Sequence, residues 1–287
     1  MNIFLTGATG FIGSNLLPKL LYLNHKVCAV CHSSFKYDYA HPNLHWLHGS
    51  LDSNFSDYLR NIDFVIHLAS YGVTNGGNNW LKCFDINVSQ FLRLILSAVE
   101  VGVKRFIVVG SCFEYGRAGE IYSSIPVDSV LLPTTAYSAS KCAATSLAYA
   151  LAVQHKLKMI IVRPFHIYGN GEHKDRFYPS IVEAAKSGNN FPMTQGEQVR
   201  DFQNVDDTTD ELIKLLENNA LKDGYPLLVN LGSGKPTKLI DFAKSQWSQL
   251  NASGTIRPGE IPYRDNEVMN YTPIVESCDF SQSHHSP

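Results

Sequence analysis

The sequence predicts an α/β protein built on a doubly wound parallel sheet. Three observations carry that prediction. Short apolar runs recur between stretches of helical character, the links between them are brief, and the first run feeds at once into a glycine-rich turn. Runs that are apolar throughout, rather than alternating, suit strands covered on both faces.

The first strand is Ile3 to Thr6, followed by glycines at 7, 10 and 13. Gly7 permits a sharp turn, and Gly10 permits close approach of backbone to a pyrophosphate. Gly13 lets the next helix lie close on the sheet, while that helix's free N–H groups and dipole favour negative charge. The spacing is G-x-x-G-x-x-G rather than G-x-G-x-x-G, yet its place between a strand and a helix predicts a Rossmann-type dinucleotide site. The helix is expected from Phe11 to Leu23, with Ile12, Leu16, Leu20 and Leu21 facing the sheet and Pro18 as a local fault that kinks it.

The second strand, Lys26 to Cys31, ends in His32-Ser33-Ser34-Phe35-Lys36. An acidic residue that would grip a ribose 2′-hydroxyl is absent there. Small hydroxyls with a His and a Lys suit a 2′-phosphate instead, so NADP(H) is the favoured cofactor, with NAD(H) the alternative. Further strands are read at Leu44 to His48, Asp63 to Ala69 and Arg105 to Gly110. A Gly/Asn-rich loop, Tyr71 to Trp80, precedes a long helix from Leu81 to Val101.

Ser111 closes the fifth strand, and Tyr137 and Lys141 follow, four residues apart. On a helix they share a face, one turn apart. Such a pair suits hydride transfer at a carbonyl or alcohol: a neighbouring ammonium favours the ionised tyrosine and lowers its pKa, and the serine hydroxyl can bond the same substrate oxygen.

Bulk properties narrow the function. A net charge of −2 gives no reason to expect nucleic acid or an anionic membrane as partner. No apolar run is long enough to span a bilayer. The N-terminal run goes directly into the glycine turn, without a basic flank, so a cytoplasmic location is the default expectation. Cys28 and Cys31 have metal-site spacing, but alternation along a strand sends them to opposite faces. No metal is expected.

Taken together, the chain resembles the extended short-chain dehydrogenases/reductases of the nucleotide-sugar epimerase/dehydratase/reductase kind, from residue 1 to about 275. The resemblance rests on Gly7-Ala-Thr-Gly-Phe-Ile-Gly13, His67-Leu-Ala69, Asn87, Ser111 before Tyr115-Gly116 and Tyr137…Lys141. It continues in Arg163-Pro-Phe-His-Ile-Tyr-Gly169, Arg200-Asp-Phe202…Val205-Asp-Asp207 and Asn230-Leu-Gly-Ser-Gly234. It implies a dinucleotide-binding domain over 1–165 and a smaller C-terminal α/β domain over 166–287 for a nucleotide sugar, with 205–235 returning to pack on the first.

The resemblance further implies that Tyr137 is the acid/base, Lys141 tunes it and holds the nicotinamide ribose, and Ser111 orients the oxygen. Cofactor contacts would come from Gly7, Thr9, Gly10, Phe11, Ile12, Gly13, His32, Ser33, Ser34, Ser50, Leu51, Leu68, Ala69, Tyr137, Lys141, Pro164 and Phe165. Substrate contacts would come from Tyr71, Ser111, Cys112, Phe113, His166, Arg200 and Arg264, the two arginines at the diphosphate. His166 stands where the family usually has asparagine. Thr237 reads as an N-cap for the helix after Gly234. The sequence after Cys278-Asp279 does not resemble the family's final apolar turn and helix, and 281–287 is expected to be disordered. A homodimer through the helices Leu81–Val101 and Tyr137–Gln154 is expected by analogy.

Dehydratases of this kind carry Asp-Glu directly after the strand-five hydroxyl residue; here Cys112 and Phe113 take those places, and Glu114 would point to the other face of a continuing strand. Several stretches resemble abequose synthase-type reductases. The expected activity is NADPH-dependent reduction of the C4 ketone of a dTDP-, CDP- or GDP-linked 4-keto-6-deoxyhexose for bacterial surface polysaccharide. The alternative is an NAD-dependent 4-epimerase.

Overall fold

The structure is a computed structural model that describes residues 1–32, 39–73, 79–265 and 267–275. Its first half alternates strand and helix: β1 (Asn2–Thr6), α1 (Phe11–Tyr22), β2 (Lys26–Cys31), β3 (Leu44–His48), α2 (Ser56–Leu59) and β4 (Phe64–His67). Next come α3 (Trp80–Phe84), a π-helical segment (Asp85–Gln90), α4 (Phe91–Glu100), β5 (Arg105–Val109), α5 (Ala136–His155) and β6 (Lys158–Pro164). The remainder comprises β7 (His166–Tyr168), α6 (Phe177–Lys186), β8 (Phe191–Met193), β9 (Val199–Asn204), α7 (Val205–Leu216) and β10 (Leu227–Leu231). It closes with β11 (Pro236–Lys238), α8 (Leu239–Gln249), β12 (Ile256–Pro258) and β13 (Asn270–Tyr271).

Seven strands form one parallel sheet in the order β10-β6-β5-β4-β1-β2-β3. The order reverses at β1 and β4, which places a crevice beyond their carboxyl ends. Alternation along each strand sends apolar side chains to both faces. Phe4, Val65, Phe106 and Ile161 meet α4 and α5 through Leu94, Ile95, Ala148 and Leu151. Ile3, Leu5, Ile66 and Ile107 meet α1 and α7 through Leu16, Leu20, Leu212 and Leu215. Each such fully buried aliphatic side chain contributes about 1.5–3 kcal/mol against exposure. Residues beyond 165 also enter this sheet, because β10 pairs with β6.

A smaller region caps the carboxyl side. There β9 pairs with β7, β11 and β13, while β8 pairs with β12. Helices α6 and α8 enclose an aromatic core in which Phe202 and Phe242 stack with centroids 3.8 Å apart.

Several expectations need correcting. Strand four is shorter than Asp63–Ala69, since the chain leaves the ladder after His67. The long helix contains the π segment, which its sequence does not announce. Helix α1 ends at Tyr22 and runs on past Pro18, whose ring lies on the exposed side. Thr237 is not an N-cap: it lies in β11, paired with Arg200, and the cap of α8 is Lys238. Ser33, Ser34 and 281–287 lie outside the described residues.

Candidate active site

The glycine turn builds the first wall of the crevice. Gly7 has φ +72°, and a Cβ there would fall 2.7 Å from Ala69 N. At Gly13 a Cβ would fall 2.1 Å from Gly7 O, so helix and turn are in direct backbone contact. Gly10 is exposed and a Cβ would meet only Gly7 O, at 3.2 Å. The backbone at the start of α1 is therefore open to a phosphate, and the donor-rich helix end fits a dinucleotide's pyrophosphate. Thr9, Phe11 and Ile12 flank this opening and are half-buried.

The ends of β1 and β4 are tied together behind it. Thr6 Oγ1 accepts from Ala69 N–H at 3.3 Å and lies 2.9 Å from His67 Nδ1. Burial, with Lys141's charge adding to it, pushes the His67 imidazole down to about 3, so it is neutral. Leu68 N–H donates to Thr6 O at 3.2 Å. At the far end of the crevice Ser50 bonds Asp52, Leu51 is buried, and the exposed His32 directly follows β2.

The catalytic candidates converge. Helix α5 starts with a capping box between Thr135 and Ser138, which puts Tyr137 in its first turn and Lys141 one turn on. The hydroxyls of Ser111 and Ser70 lie beside that of Tyr137. Burial pushes the half-buried Tyr137 up to about 12; those two hydroxyls oppose the shift, and the charges of Cys112 and Glu114 reinforce it. Lys141 is buried and donates from Nζ to Val109 O at 2.6 Å. Burial lowers its pKa to about 8, with Glu114 opposing. The expected lowering of the Tyr137 pKa by Lys141 is thus reversed, because desolvation of the phenol outweighs other influences.

Three residues missed as site elements hold this arrangement. Ser70 is the second hydroxyl on Tyr137. Asn87, in the π segment, accepts Tyr71 N–H at 2.8 Å and donates to Tyr71 O and Ser140 Oγ, each at 2.9 Å. Ser140 Oγ in turn donates to Tyr137 O at 2.8 Å, so Asn87 ties the Ser70–Tyr71 segment to α5. Glu114 is the third. The strand does not continue past Val109 in the way expected: Cys112–Glu114 is a 3-10 turn that swings Glu114 inward. Its carboxylate is fully buried and accepts Ser111 N–H (2.8 Å), Thr145 Oγ1 (2.7 Å) and Arg163 Nε (2.8 Å). Glu114, two residues before Gly116, carries no one-dimensional signature of this role; only the turn reveals it.

Other predicted positions line the same crevice. Pro164 and Phe165 are buried at the end of β6, where Phe165 N–H donates to Leu231 O at 2.9 Å. Cys112 is buried, and its thiol is pushed up to about 12 by burial, which removes it as an acid/base near neutrality. Phe113, His166 and Tyr271 pack edge-on or tilted at 5.7–6.0 Å. Tyr71 lies under Lys82 Nζ, 4.7 Å from the ring centroid. Arg200 is buried and already engaged with Glu267 Oε1 (2.8 Å), Val268 O and Met269 O. Arg264 is exposed. Cys28 and Cys31 are free thiols, and Cys31 Sγ lies 3.3 Å from His48 Nδ1. No group of three or more metal-ligating side chains occurs among the described residues, and no helix among them is long and apolar enough to cross a membrane.

The model of the NAD dependent epimerase/dehydratase family matches residues 3–232. The chain belongs to that family. A CDP-abequose synthase of Salmonella muenchen is 25% identical over 271 residues, covering 93% of this chain and 87% of that protein. A trifunctional UDP-glucose 4,6-dehydratase/UDP-4-keto-6-deoxy-D-glucose 3,5-epimerase/UDP-4-keto-L-rhamnose-reductase of Arabidopsis thaliana is 26% identical over 262 residues, 85% of this chain. The chain spans only 38% of that plant protein's length. Among solved structures, MoeE5 in complex with UDP-glucuronic acid and NAD is 28% identical, with TM-score 0.83 over 96% of this chain and 90% of that one. A UDP-N-acetylglucosamine 4-epimerase of Methanobrevibacter ruminantium M1 shares the fold at TM-score 0.86 and 22% identity, over 96% and 89% of the two chains. The family places this chain among NAD-dependent enzymes that modify nucleotide sugars.

Proposed function

We propose that the enzyme reduces the C4 ketone of a nucleotide-linked 4-keto-6-deoxyhexose, using NADPH in preference to NADH. The observation that carries this reading is the end of β2, where Cys31-His32 brings no carboxylate to repel a 2′-phosphate. The Tyr137 hydroxyl, beside those of Ser111 and Ser70, is placed to give a proton to a ketone oxygen. The CDP-abequose synthases are similar over nearly the whole chain. Elimination of water is disfavoured because Cys112 and Phe113 occupy the acid/base places and Glu114 is spent on Arg163.

In this reading the bound nicotinamide supplies the hydride to C4. Ser111 Oγ and Tyr137 Oη bond the ketone oxygen, and the Tyr137 proton moves onto that oxygen as the alcohol forms. Lys141, in its charged form, compensates the phenolate left behind. Asn87 fixes the register of Ser70 and Tyr71 against α5, which keeps the two hydroxyls on one oxygen. Arg200 and Arg264 are assigned to the substrate diphosphate, Arg200 exchanging Glu267 for a phosphate oxygen. Residues 1–165 are assigned to the dinucleotide-binding domain and 166–287 to the nucleotide-sugar domain, with α7 and β10 returning to pack on the first. The exposed Trp80, Leu81 and Phe84 with Tyr149 and Val153 offer an apolar face to a second copy in a cytoplasmic homodimer.

The test is incubation of purified protein with NADPH or NADH and a panel of dTDP-, CDP- and GDP-4-keto-6-deoxyhexoses, following loss of reduced nicotinamide absorbance. Turnover with NADPH supports the reading. No turnover, together with interconversion of UDP-glucose and UDP-galactose, supports a 4-epimerase instead; the NAD held by MoeE5 favours keeping that second reading in view.

A further inference from the structure

Between α7 and α8 lies a cavity of about 600 Å³. It is separate from the catalytic crevice: Ser111, Tyr137, Lys141, His166 and Arg200 are not among its walls. Helix α7 lines one side with Asp207, Glu211 and Lys214, and α8 lines the other with Asp241 and Gln246. The floor is aromatic. Phe202 stacks on Phe242 there, and Tyr168 meets Phe242 edge-on with centroids 4.9 Å apart.

Gln246 is the wall residue that packing leaves unexplained. It is 8% exposed, yet no described residue hydrogen-bonds its side-chain amide. Native proteins seldom bury an amide unpaired, because the lost hydration is not replaced. Its place on the cavity wall leaves the missing partners to a bound molecule.

The remaining walls define the chemistry of that molecule. Glu211 is half-buried, and burial raises its carboxyl, with Gln203 and Lys214 opposing. Gln203 Nε2 donates to Glu211 Oε1 at 3.0 Å, and no described residue bonds Oε2. The Asp207 and Asp241 carboxylates likewise have no hydrogen-bond or ion-pair partner among the described residues. Four carboxylates face two ammoniums, those of Lys214 and Lys235, and only Asp210 is in an ion pair, with Lys19 at 2.6 Å. The balance favours a cation. The carboxylates are too dispersed for one metal ion, since no three metal-ligating side chains converge among the described residues. Dispersed negative charge over an aromatic floor suits a cation that is extended and flat at one end.

We propose that the α7–α8 cavity binds an extended organic cation with a guanidinium head. Glu211 Oε2 and Gln246 Oε1 accept N–H groups of the planar head, which lies against Phe202. Asp207 and Asp241 attract the charge at its other end. This site and the nucleotide-sugar reading stand independently of each other.

Calorimetric titration of the full chain with agmatine tests the proposal, beside spermidine and magnesium chloride at matched ionic strength. The parent protein is expected to take up one agmatine saturably and to bind spermidine, which has charge but no planar head, more weakly. Glu211→Gln and Gln246→Met are each expected to weaken agmatine binding roughly ten- to a hundredfold, as loss of a hydrogen bond to a charged group implies. Because the Gln246 amide bonds nothing in the protein, Gln246→Met should melt at or above the parental temperature, which a structural role would not allow. Absence of saturable uptake, spermidine or magnesium binding as tightly as agmatine, or unchanged agmatine affinity in both variants overturns the site. The contrast between agmatine and spermidine in the parent holds even where a variant misfolds.

Discussion

Glu114→Gln is the most informative single perturbation of the frame behind the active site. The parent carboxylate serves three donors: Ser111 N–H on one oxygen, Thr145 Oγ1 and Arg163 Nε on the other. A glutamine keeps one acceptor oxygen, so its amide nitrogen must face either the Ser111 N–H or the Arg163–Thr145 pair. It also leaves the Arg163 guanidinium, 5% exposed, without its counter-charge. Arg163 retains Tyr115 Oη and Val127 O as acceptors, at 3.2 and 3.0 Å, which softens the loss without neutralising the charge. Breaking a buried pair from one side costs about 3–5 kcal/mol. At about 2–4 °C per kcal/mol for a domain approaching this size, the melting temperature falls by roughly 6–20 °C. Differential scanning calorimetry measures it. Adding Arg163→Met, which removes the stranded charge, is expected to recover at least half of the drop. A Glu114→Gln protein that melts within about 2 °C of the parent, or a double variant less stable than the single, would refute the reasoning.

The other predictions are narrower. Tyr137→Phe removes the proton donor and should lower kcat by on the order of a hundred- to ten-thousandfold, while NADPH binding by fluorescence stays near parental. Gly13→Ala places a methyl 2.1 Å from Gly7 O and should abolish dinucleotide binding in the same assay, without unfolding the chain. Lys141, lowered to about 8, should lose its proton as pH rises through that value, so kcat/KM falls above about pH 8. Linkage gives a second sign for it: the folded state binds fewer protons than the unfolded one between about 8 and 10.5, so Lys141 burial makes stability rise with pH there. The rise should be absent from Lys141→Met and so stand out in the difference between parent and variant. Glu172 runs the other way. Its pKa is raised to about 7, so its contribution to stability declines as pH climbs from about 4.5 to 7, and Glu172→Gln should gain on the parent over that window in pH-dependent denaturation.

Much of this protein is legible along the chain because its local signals agree with one another. The apolar strands, the three glycines and the Tyr137–Lys141 spacing all depend on short-range geometry, and the parallel sheet follows from their alternation. What escaped depends on where the chain turns. Glu114 read as an outward-facing strand residue because nothing local marks the end of β5 at Val109; the 3-10 turn after Ser111 reverses its direction. The Asn87 clamp depends on a π segment, whose extra residue per turn leaves no periodic signature. The pKa of Tyr137 was misjudged for a related reason. The spacing to Lys141 reveals a neighbour on the helix, but not that burial dominates the phenol or that the ammonium bonds Val109 O. Thr237 looked like a cap because threonine favours caps, yet pairing with Arg200 in β11 claimed it first.

Net reduction at C4 with Tyr137 as donor can be read from a nucleotide-linked 4-keto-6-deoxyhexose supplied with NADPH deuterated at the transferred position, the product being followed by NMR. Deuterium is expected at C4 of a 4-hydroxy product, with one NADP⁺ formed per sugar reduced and no product from Tyr137→Phe. A 4-epimer formed with no net consumption of reduced cofactor would contradict it.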